Sequence, residues 1–300
     1  MVEYDVVVVG AGIIGLSTAY HIKRENPDAQ ILVIDKLSAA GQANTAKSAC
    51  AFRCLFSSHT NFLLADSSVE FYRHVQEDLK IDLKLKFVGY LWLLCEEEYK
   101  ELLPVLTNLA KKGFAYKEYE EEELAQKLNM RTNLAEDEEA KLMNLGNVYK
   151  GIFIPKAGIV DADCLARYYE EEFLKIGGKV QYGVKAEKFI VEPCNPLGIP
   201  GEPYFWQDAR IAGVETDKGP IKAKKTVLAA GAWIPQLLDE IGIECYIKPK
   251  KRQVFPVEAK TPELQQLLYV KGFSLEGCIP FTILPKPKVY IRPFPTEGVF

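Results

Sequence analysis

An α/β fold whose parallel sheet is interrupted by an insertion is what this sequence predicts, on three observations. Residues 6–9 are an unbroken run of valine running into a glycine turn, the pattern of a parallel strand buried on both faces. A second apolar strand, "AQILVIDK" at 29–36, follows one helix later and ends on an acid. A third strand into a glycine turn, "TVLAAGAW" at 226–233, comes only late in the chain. The alternation of strand and helix is therefore broken by an insertion.

The chain has 300 residues, enough for two domains, with 48% apolar and 26% charged residues and a net charge of −4. No basic field invites nucleic acid. The glutamates at 120–123 have lysine neighbours and read as a solvated helix face. Seven cysteines (50, 54, 95, 164, 194, 245, 278) contain no CxxC, and histidines 21, 59 and 74 have no ligand spacing. No metal site is expected, and the thiols read as free cysteines in a reducing cytoplasm. The apolar run 6–22 is preceded by Glu3 and Asp5 and broken by Gly10, Gly12 and Gly15. It suits neither a signal peptide nor a membrane span.

That run is instead the start of a dinucleotide site. "GAGIIG" at 10–15 matches GxGxxG between a buried strand and a helix over 13–24. Gly10 permits the tight turn, Gly12 leaves room for a pyrophosphate, and Gly15 lets helix and strand pack closely. The helix N-terminus offers N–H groups and the positive end of its dipole to phosphate. Asp35 is placed to accept from an adenosine ribose, and an acid there favours FAD or NAD over NADP.

An NAD-type fold would continue alternating, but "AAGQANTAKSACAFRCLF" (39–56) reads as a long loop, of a kind that is usually functional or disordered. A helix over 62–79 and a strand or hairpin over 83–94 follow. Residues 158–178 read as a helix entered through Asp161, and 179–192 as one or two strands. Residues 192–203 read as a Pro/Gly-rich loop, and 210–233 as strand, turn, strand and glycine turn.

These stretches together resemble the D-amino acid oxidase-like family of FAD-dependent oxidoreductases, which includes glycine and sarcosine oxidases and dye-linked L-proline dehydrogenases. The resemblance covers almost the whole chain. "DVVVVGAGIIGLSTAYHI" looks like the family's FAD fingerprint. "TAKSACAFR" (45–53) resembles a segment that runs along the pyrophosphate towards the flavin, carried over as Thr45, Ser48 and Arg53. "VLAAGAW" is similar to the motif that closes over the pyrophosphate, and Ala186 stands where a backbone contact to adenine is expected. The cofactor-binding residues implied are Gly10, Ala11, Gly12, Ile13, Ile14, Gly15, Asp35, Lys36, Thr45, Ala46, Ser48, Ala49, Ala186, Ala230, Gly231 and Trp233. "PKKRQVFPV" (249–257) and "VYIRPF" (289–294) resemble strands of the substrate domain. Two departures stand out. Cys50 occupies a position where the family has glycine, and the chain stops at Phe300 before a further glycine-rich turn expected to complete the flavin site.

The resemblance implies an α/β Rossmann-like FAD-binding domain at 1–82 and 145–240, and an inserted α+β substrate domain built on an antiparallel sheet at 83–144 and 241–300. It implies oxidation of the C–N bond of an amino acid or secondary or N-methyl amine, by hydride transfer to flavin N5. Arg53, Arg252 and Arg292 are the candidate catalytic cations, to hold a substrate carboxylate or stabilise reduced flavin. Tyr90, Trp92 and Tyr290 read first as strand packing and second as cavity walls, and His59 as a solvated loop residue. Two alternatives stay open: C–O oxidation of a glycerol-3-phosphate-type substrate, and a non-catalytic flavin-binding subunit of a larger dehydrogenase. The first needs a tight basic cluster, and strand alternation would split "KPKKR" (248–252) across two faces. A homo-oligomer, a partner subunit for electron transfer and membrane association through the electron acceptor stay open as well.

Overall fold

The computed structural model describes residues 3–56, 58–111, 113–286 and 288–300. In chain order the elements begin with β1 (Glu3–Val9), α1 (Ile13–Glu25), β2 (Ile31–Asp35), β3 (Ala51–Arg53), α2 (His59–Arg73), β4 (Tyr90–Leu94) and α3 (Glu96–Lys111). Next come β5 (Lys117–Glu120), α4 (Glu121–Leu128), α5 (Glu138–Leu142), β6 (Lys150–Ile154), β7 (Ala157–Ile159), α6 (Ala162–Lys175), β8 (Lys179–Tyr182), β9 (Ala186–Pro193) and β10 (Ala209–Thr216). The chain closes with β11 (Gly219–Leu228), α7 (Ile234–Asp239), α8 (Pro262–Leu268), β12 (Phe281–Ile283) and β13 (Tyr290–Ile291). It divides into two compact units, Met1–Ser48 with Ala162–Arg252, and Ala49–Asp161 with Gln253–Phe300. Residues 49–82 and 145–161, expected with the dinucleotide half, pack within the second unit. No helix among the described residues is long and apolar enough to cross a membrane.

The first unit is the predicted α/β half. Its six strands run in the order β8-β2-β1-β11-β10-β9. β1 pairs in parallel with β2 and β11, and β2 with β8, while β10 pairs antiparallel with β11 and β9. Val6–Val9 and Ile31–Ile34 are buried along their whole length, which explains why these strands read as continuous apolar runs rather than alternating ones. Val7, Val9, Leu32 and Ile34 pack on Phe189, Val214 and Leu237. α1 packs against α6 through an edge-on contact of Tyr20 with Tyr169.

The second unit is built on a five-stranded sheet of order β13-β12-β4-β6-β5. β4–β6, β5–β6 and β12–β13 are antiparallel, as expected, while β12 pairs with β4 in parallel. Alternation along β4 sends Tyr90 into one buried cluster with Leu106, Ile152 and Phe281, and Leu91 and Leu93 into another with Leu124, Phe153 and Ile279. Of the expected strand over 83–94, only 90–94 forms. After α2 comes one π-helical turn, His74–Asp78. It holds Gln76 where its amide donates to the Leu85 carbonyl (3.0 Å) and accepts from the Leu85 amide (2.7 Å).

Two other segments depart from the sequence reading. The glutamate run at 120–123 is exposed in part, but it also starts α4: the Glu120 side chain accepts from the Glu123 backbone, and the Glu123 side chain accepts from the Glu120 backbone. The stretch 249–257 forms no strand. Its pattern suits a strand, but backbone pairing is confined to its end, where Val257 and Phe300 exchange N–H···O bonds at 3.0 and 3.3 Å and Glu258 bridges to Val299.

Gly158 marks the tightest approach in the second unit. β7 lies between β3 and the bridge residue Lys86, and a Cβ on Gly158 would stand 2.0 Å from the Lys86 carbonyl oxygen. Gly158→Ala should destabilise the protein by about 1–3 kcal/mol, the range for overpacking. Gly146→Ala, whose added Cβ would meet only side-chain carbons at 3.7 Å, should leave the urea midpoint unchanged or raise it slightly. Equal midpoints for the two variants would contradict the packing described for β7.

Candidate functional site

The first unit holds a cavity of about 670 Å³, within the range of small-molecule sites. It lies at the C-terminal ends of β1, β2 and β11, where open α/β sheets take ligands. The glycine turn shapes its floor. Gly10 has φ +114°, and a Cβ on it would lie 2.5 Å from the Ala229 carbonyl oxygen. A Cβ on Gly15 would lie within collision distance of the Gly10 carbonyl oxygen and 3.2 Å from the Ala229 side chain. Gly10 thus lets the turn after β1 lie against the turn after β11, and Gly15 lets helix α1 pack onto that first turn.

Polar groups fix the rim. The Asp35 carboxylate accepts from the Ala11 amide at 2.7 Å and from the Leu37 amide at 2.8 Å. A carboxylate has about four lone-pair sites, so two remain for further donors. Thr45 Oγ1 accepts from the Ile13 amide at 3.1 Å, capping a helix whose N-cap, Gly12, offers no side chain. A Cβ on Gly12 would stand 3.2 Å from that oxygen. Lys36 Nζ lies 4.1 Å from the centre of the Trp233 ring.

The fold brings twelve of the sixteen expected cofactor residues to the cavity wall: Gly10, Gly12, Ile13, Ile14, Asp35, Lys36, Thr45, Ser48, Ala186, Ala230, Gly231 and Trp233. Ala11 is fully buried, with its amide on Asp35. Gly15 acts beneath the wall through packing. Ala46 is not at the wall, and Ala49 belongs to the second unit. The sequence reading missed Asn44, Lys185, Glu187, Gln236 and Glu240, which also line the cavity. The last two are four residues apart along and just after α7, a helical spacing that follows directly from the third glycine turn. A glycine turn at a helix N-terminus, an acid at the ribose position and a cavity of this size together fit a dinucleotide such as FAD.

The candidate cations have different surroundings. Arg53, on β3, has its guanidinium carbon 5.3 Å from the Phe56 ring, 5.6 Å from Tyr90 and 5.3 Å from Trp92. With Phe52, Phe56, Tyr72 and Tyr90 it lines a second cavity of about 280 Å³. Arg292, after β13, stacks its guanidinium 3.8 Å above the Phe294 ring, and Nη2 donates to the Val160 carbonyl at 3.4 Å. Its Nε is buried without a hydrogen-bond partner among the described residues, and burial holds its pKa below the usual arginine value. Arg252 is exposed on the strandless segment. The alternation expected to split residues 248–252 across two faces therefore has no strand to act through.

Tyr90 combines both expected roles, stacking on Phe281 at 4.6 Å and lining the smaller cavity. Trp92 packs against the same core cluster, and Tyr290 stacks on Phe281 at 5.5 Å. His59 is exposed at the start of α2. Cys50, at the family's glycine position, has φ +47°. The backbone there takes the left-handed turn that glycine adopts freely and other residues adopt at a cost of about 1–2 kcal/mol. Among the described residues no group of side chains could hold a metal ion.

Comparison with known proteins covers almost the whole chain. The family described as DAO, FAD dependent oxidoreductase, matches residues 5–300. L-2-hydroxyglutarate dehydrogenase of Indibacter alkaliphilus is 22% identical over 89% of this chain and 61% of that protein. Glycine oxidase from Geobacillus kaustophilus superposes with a TM-score of 0.69 at 19% identity, over 100% of this chain and 70% of that one. L-proline dehydrogenase from P. horikoshii gives 0.69 at 20% identity, over 99% and 68%. The chain spans about three-fifths of the length of the curated relatives it matches.

Asp35→Ala should leave the Ala11 and Leu37 amides without their acceptor. The loss should be about 1.5–3 kcal/mol of stability in the flavin-free protein, as for hydrogen bonds to a charged group, with weaker FAD binding besides. Urea unfolding and FAD titration measure the two effects separately, and unchanged values in both would contradict the junction. Gly12→Val should purify colourless with an unaltered circular dichroism spectrum. A yellow Gly12→Val protein with full FAD occupancy would contradict the phosphate path.

Proposed function

The chain belongs to the FAD dependent oxidoreductase family matched across residues 5–300, and from that premise we propose that it oxidises the C–N bond of an amino acid or a carboxylate-bearing secondary or N-methyl amine. FAD, when bound, supplies the two-electron acceptor. In this reading the first unit is the FAD-binding domain and the second the substrate domain. The glycine turn and the start of α1 receive the phosphates, and Asp35 receives the ribose through its unused lone pairs. Lys36, Thr45, Ser48, Ala186, Ala230, Gly231 and Trp233 form the remaining cofactor wall.

The observation that carries the substrate class is Arg292. A guanidinium drawn out of water with its Nε unpartnered is unfavourable unless an anion completes it. A carboxylate can take Nε and one Nη together, in the bidentate geometry that arginine presents and lysine lacks. Arg53, held among three aromatic rings, is the second cation of this reading. Arg252 is the weakest of the three, since an exposed guanidinium is already satisfied by water.

Glycine oxidase and L-proline dehydrogenase, the two structural neighbours at a TM-score of 0.69, support the amine. A second reading, C–O oxidation of a 2-hydroxy acid, is favoured by the similarity to L-2-hydroxyglutarate dehydrogenase, and its carboxylate would suit Arg292 equally. The test is an anaerobic visible spectrum of the FAD-loaded protein with a panel of amino acids, N-methyl amino acids and 2-hydroxy acids. Bleaching by an amine carries the first reading, and bleaching by hydroxy acids alone carries the second. No bleaching by any of them would leave a flavin-binding subunit and overturn both.

Arg292→Lys should raise KM for the acid substrate about tenfold or more, equivalent to about 1.4 kcal/mol of lost binding, at unchanged FAD content. The decarboxylated analogue should be affected little. Steady-state kinetics on the pair of substrates checks this, and an equal change for both would remove Arg292 as the carboxylate partner.

A further inference from the structure

The loop between β9 and β10 turns its polar groups inward and its apolar groups outward. β9 is the edge strand of the first unit's sheet, and its antiparallel pairing with β10 ends at Pro193 and Ala209. Between them runs "CNPLGIPGEPYFWQD" (194–208). The Glu202 carboxylate accepts from the Leu197 amide at 2.9 Å, the Ile199 amide at 2.7 Å and the Gln207 side-chain amide at 3.0 Å. Gln207 Oε1 accepts from the Tyr204 amide at 2.8 Å, and the Tyr204 hydroxyl donates to the Pro200 carbonyl at 2.9 Å. At the base of the loop the Cys194 amide donates to the Asp208 carbonyl at 2.7 Å. Tyr204 and Trp206 stack with ring centres 5.8 Å apart.

These bonds fix the loop while leaving its apolar side chains in water. Leu197 is 55% exposed, Ile199 52% and Trp206 61%, and Phe205 is fully exposed. Such a cluster on an ordered loop marks an interaction surface. Two features decide what covers it. The first is charge. Glu202 carries the only formal charge at 195–206, and donors of the loop itself hold it. Below the tip, Glu192 is matched by Lys222 at 2.6 Å and by Arg210 at 3.7 Å. The tip therefore offers no free charge to an oppositely charged partner. The second is the backbone. Pro196, Pro200 and Pro203 have no N–H, and the amides of Leu197, Ile199 and Tyr204 are bonded within the loop. A surface that enters an apolar phase needs its backbone donors paired or absent. Tryptophan is also a residue type that favours the membrane–water interface.

We propose that the loop at 195–206 is a monotopic membrane anchor. It inserts Leu197, Ile199, Phe205 and Trp206 into the interfacial layer of a lipid bilayer and holds the protein there by apolar burial, with no requirement for anionic lipid. The anchor depends on neither the cofactor nor the substrate reading.

Flotation with phosphatidylcholine vesicles, and with vesicles that also contain phosphatidylserine, tests this. The parent protein should float with both, equally at low and high salt, because screening weakens only charge attraction. Phe205→Ser/Trp206→Ser should lower the ratio of bound to free protein about tenfold or more. Phe205→Ser alone, which leaves both rings of the Tyr204–Trp206 stack in place, should lower it about threefold or more and serves if the double variant fails to fold. Leu142→Ser, which removes an exposed leucine of α5 in the second unit, should float as the parent does. Thermal midpoints and solution masses should match the parent's. A parent that floats with neither vesicle would overturn the anchor. So would one that floats only with phosphatidylserine and is released by salt, or a Phe205→Ser protein that floats as the parent does. An oligomeric parent that becomes monomeric on Phe205→Ser would assign the loop to a second copy of the chain and overturn the anchor as well.

Discussion

The carboxylate of Asp35 accepts from the amides of Ala11 and Leu37 at 2.7 and 2.8 Å, and the geometry of the first unit's cavity depends on that junction. One amide belongs to the turn after β1, the other to the loop after β2. Holding both on one side chain fixes the two strand ends relative to each other. Helix α1 then starts in a set position, capped from a distance by Thr45. It can lie against the turn after β1 only because Gly15 has no side chain, and that turn can lie against the one after β11 only because Gly10 has none. A single acid thus orders the rim and keeps acceptor capacity for a ligand. Preorganisation of this kind lowers the ordering cost of binding.

The two arginines of the second unit illustrate how surroundings decide what a cation can do. Arg53 spreads its charge over three aromatic faces and stays partly hydrated, a stable arrangement without an anion. Arg292 is stacked on one ring, donates one long hydrogen bond, and buries its Nε with no partner. The energetic deficit is local to Arg292. Cys50 is a comparable expense in the backbone, since its positive φ is a conformation that glycine would take without strain.

The strandless segment after α7 shows the limit of pattern alone. Residues 249–257 carry the apolar spacing of a strand, yet Val254, Phe255 and Val257 are exposed. A strand is defined by hydrogen bonds to a neighbour distant in sequence, and periodicity says nothing about whether that neighbour is present. The same limit accounts for residues 83–89, whose apolar pattern ends in loop and bridge rather than ladder.

The sequence by itself determined the first unit's cofactor end: the valine strand, the GxGxxG turn, Asp35 and the third glycine turn are local patterns, each dictated by backbone sterics within a few residues. It also named half of the cavity wall, because a ligand that follows a turn and a helix terminus is read by neighbours in the chain. Tertiary structure alone decided the rest. It brought Gln236 and Glu240 to the same cavity, set Lys36 over Trp233 across β1, placed Gly158 against Lys86, and drew Arg292 out of water while leaving Arg252 in it. Burial and pairing across the chain are properties of packing, and a residue's own spacing in the sequence does not encode which neighbour will cover it.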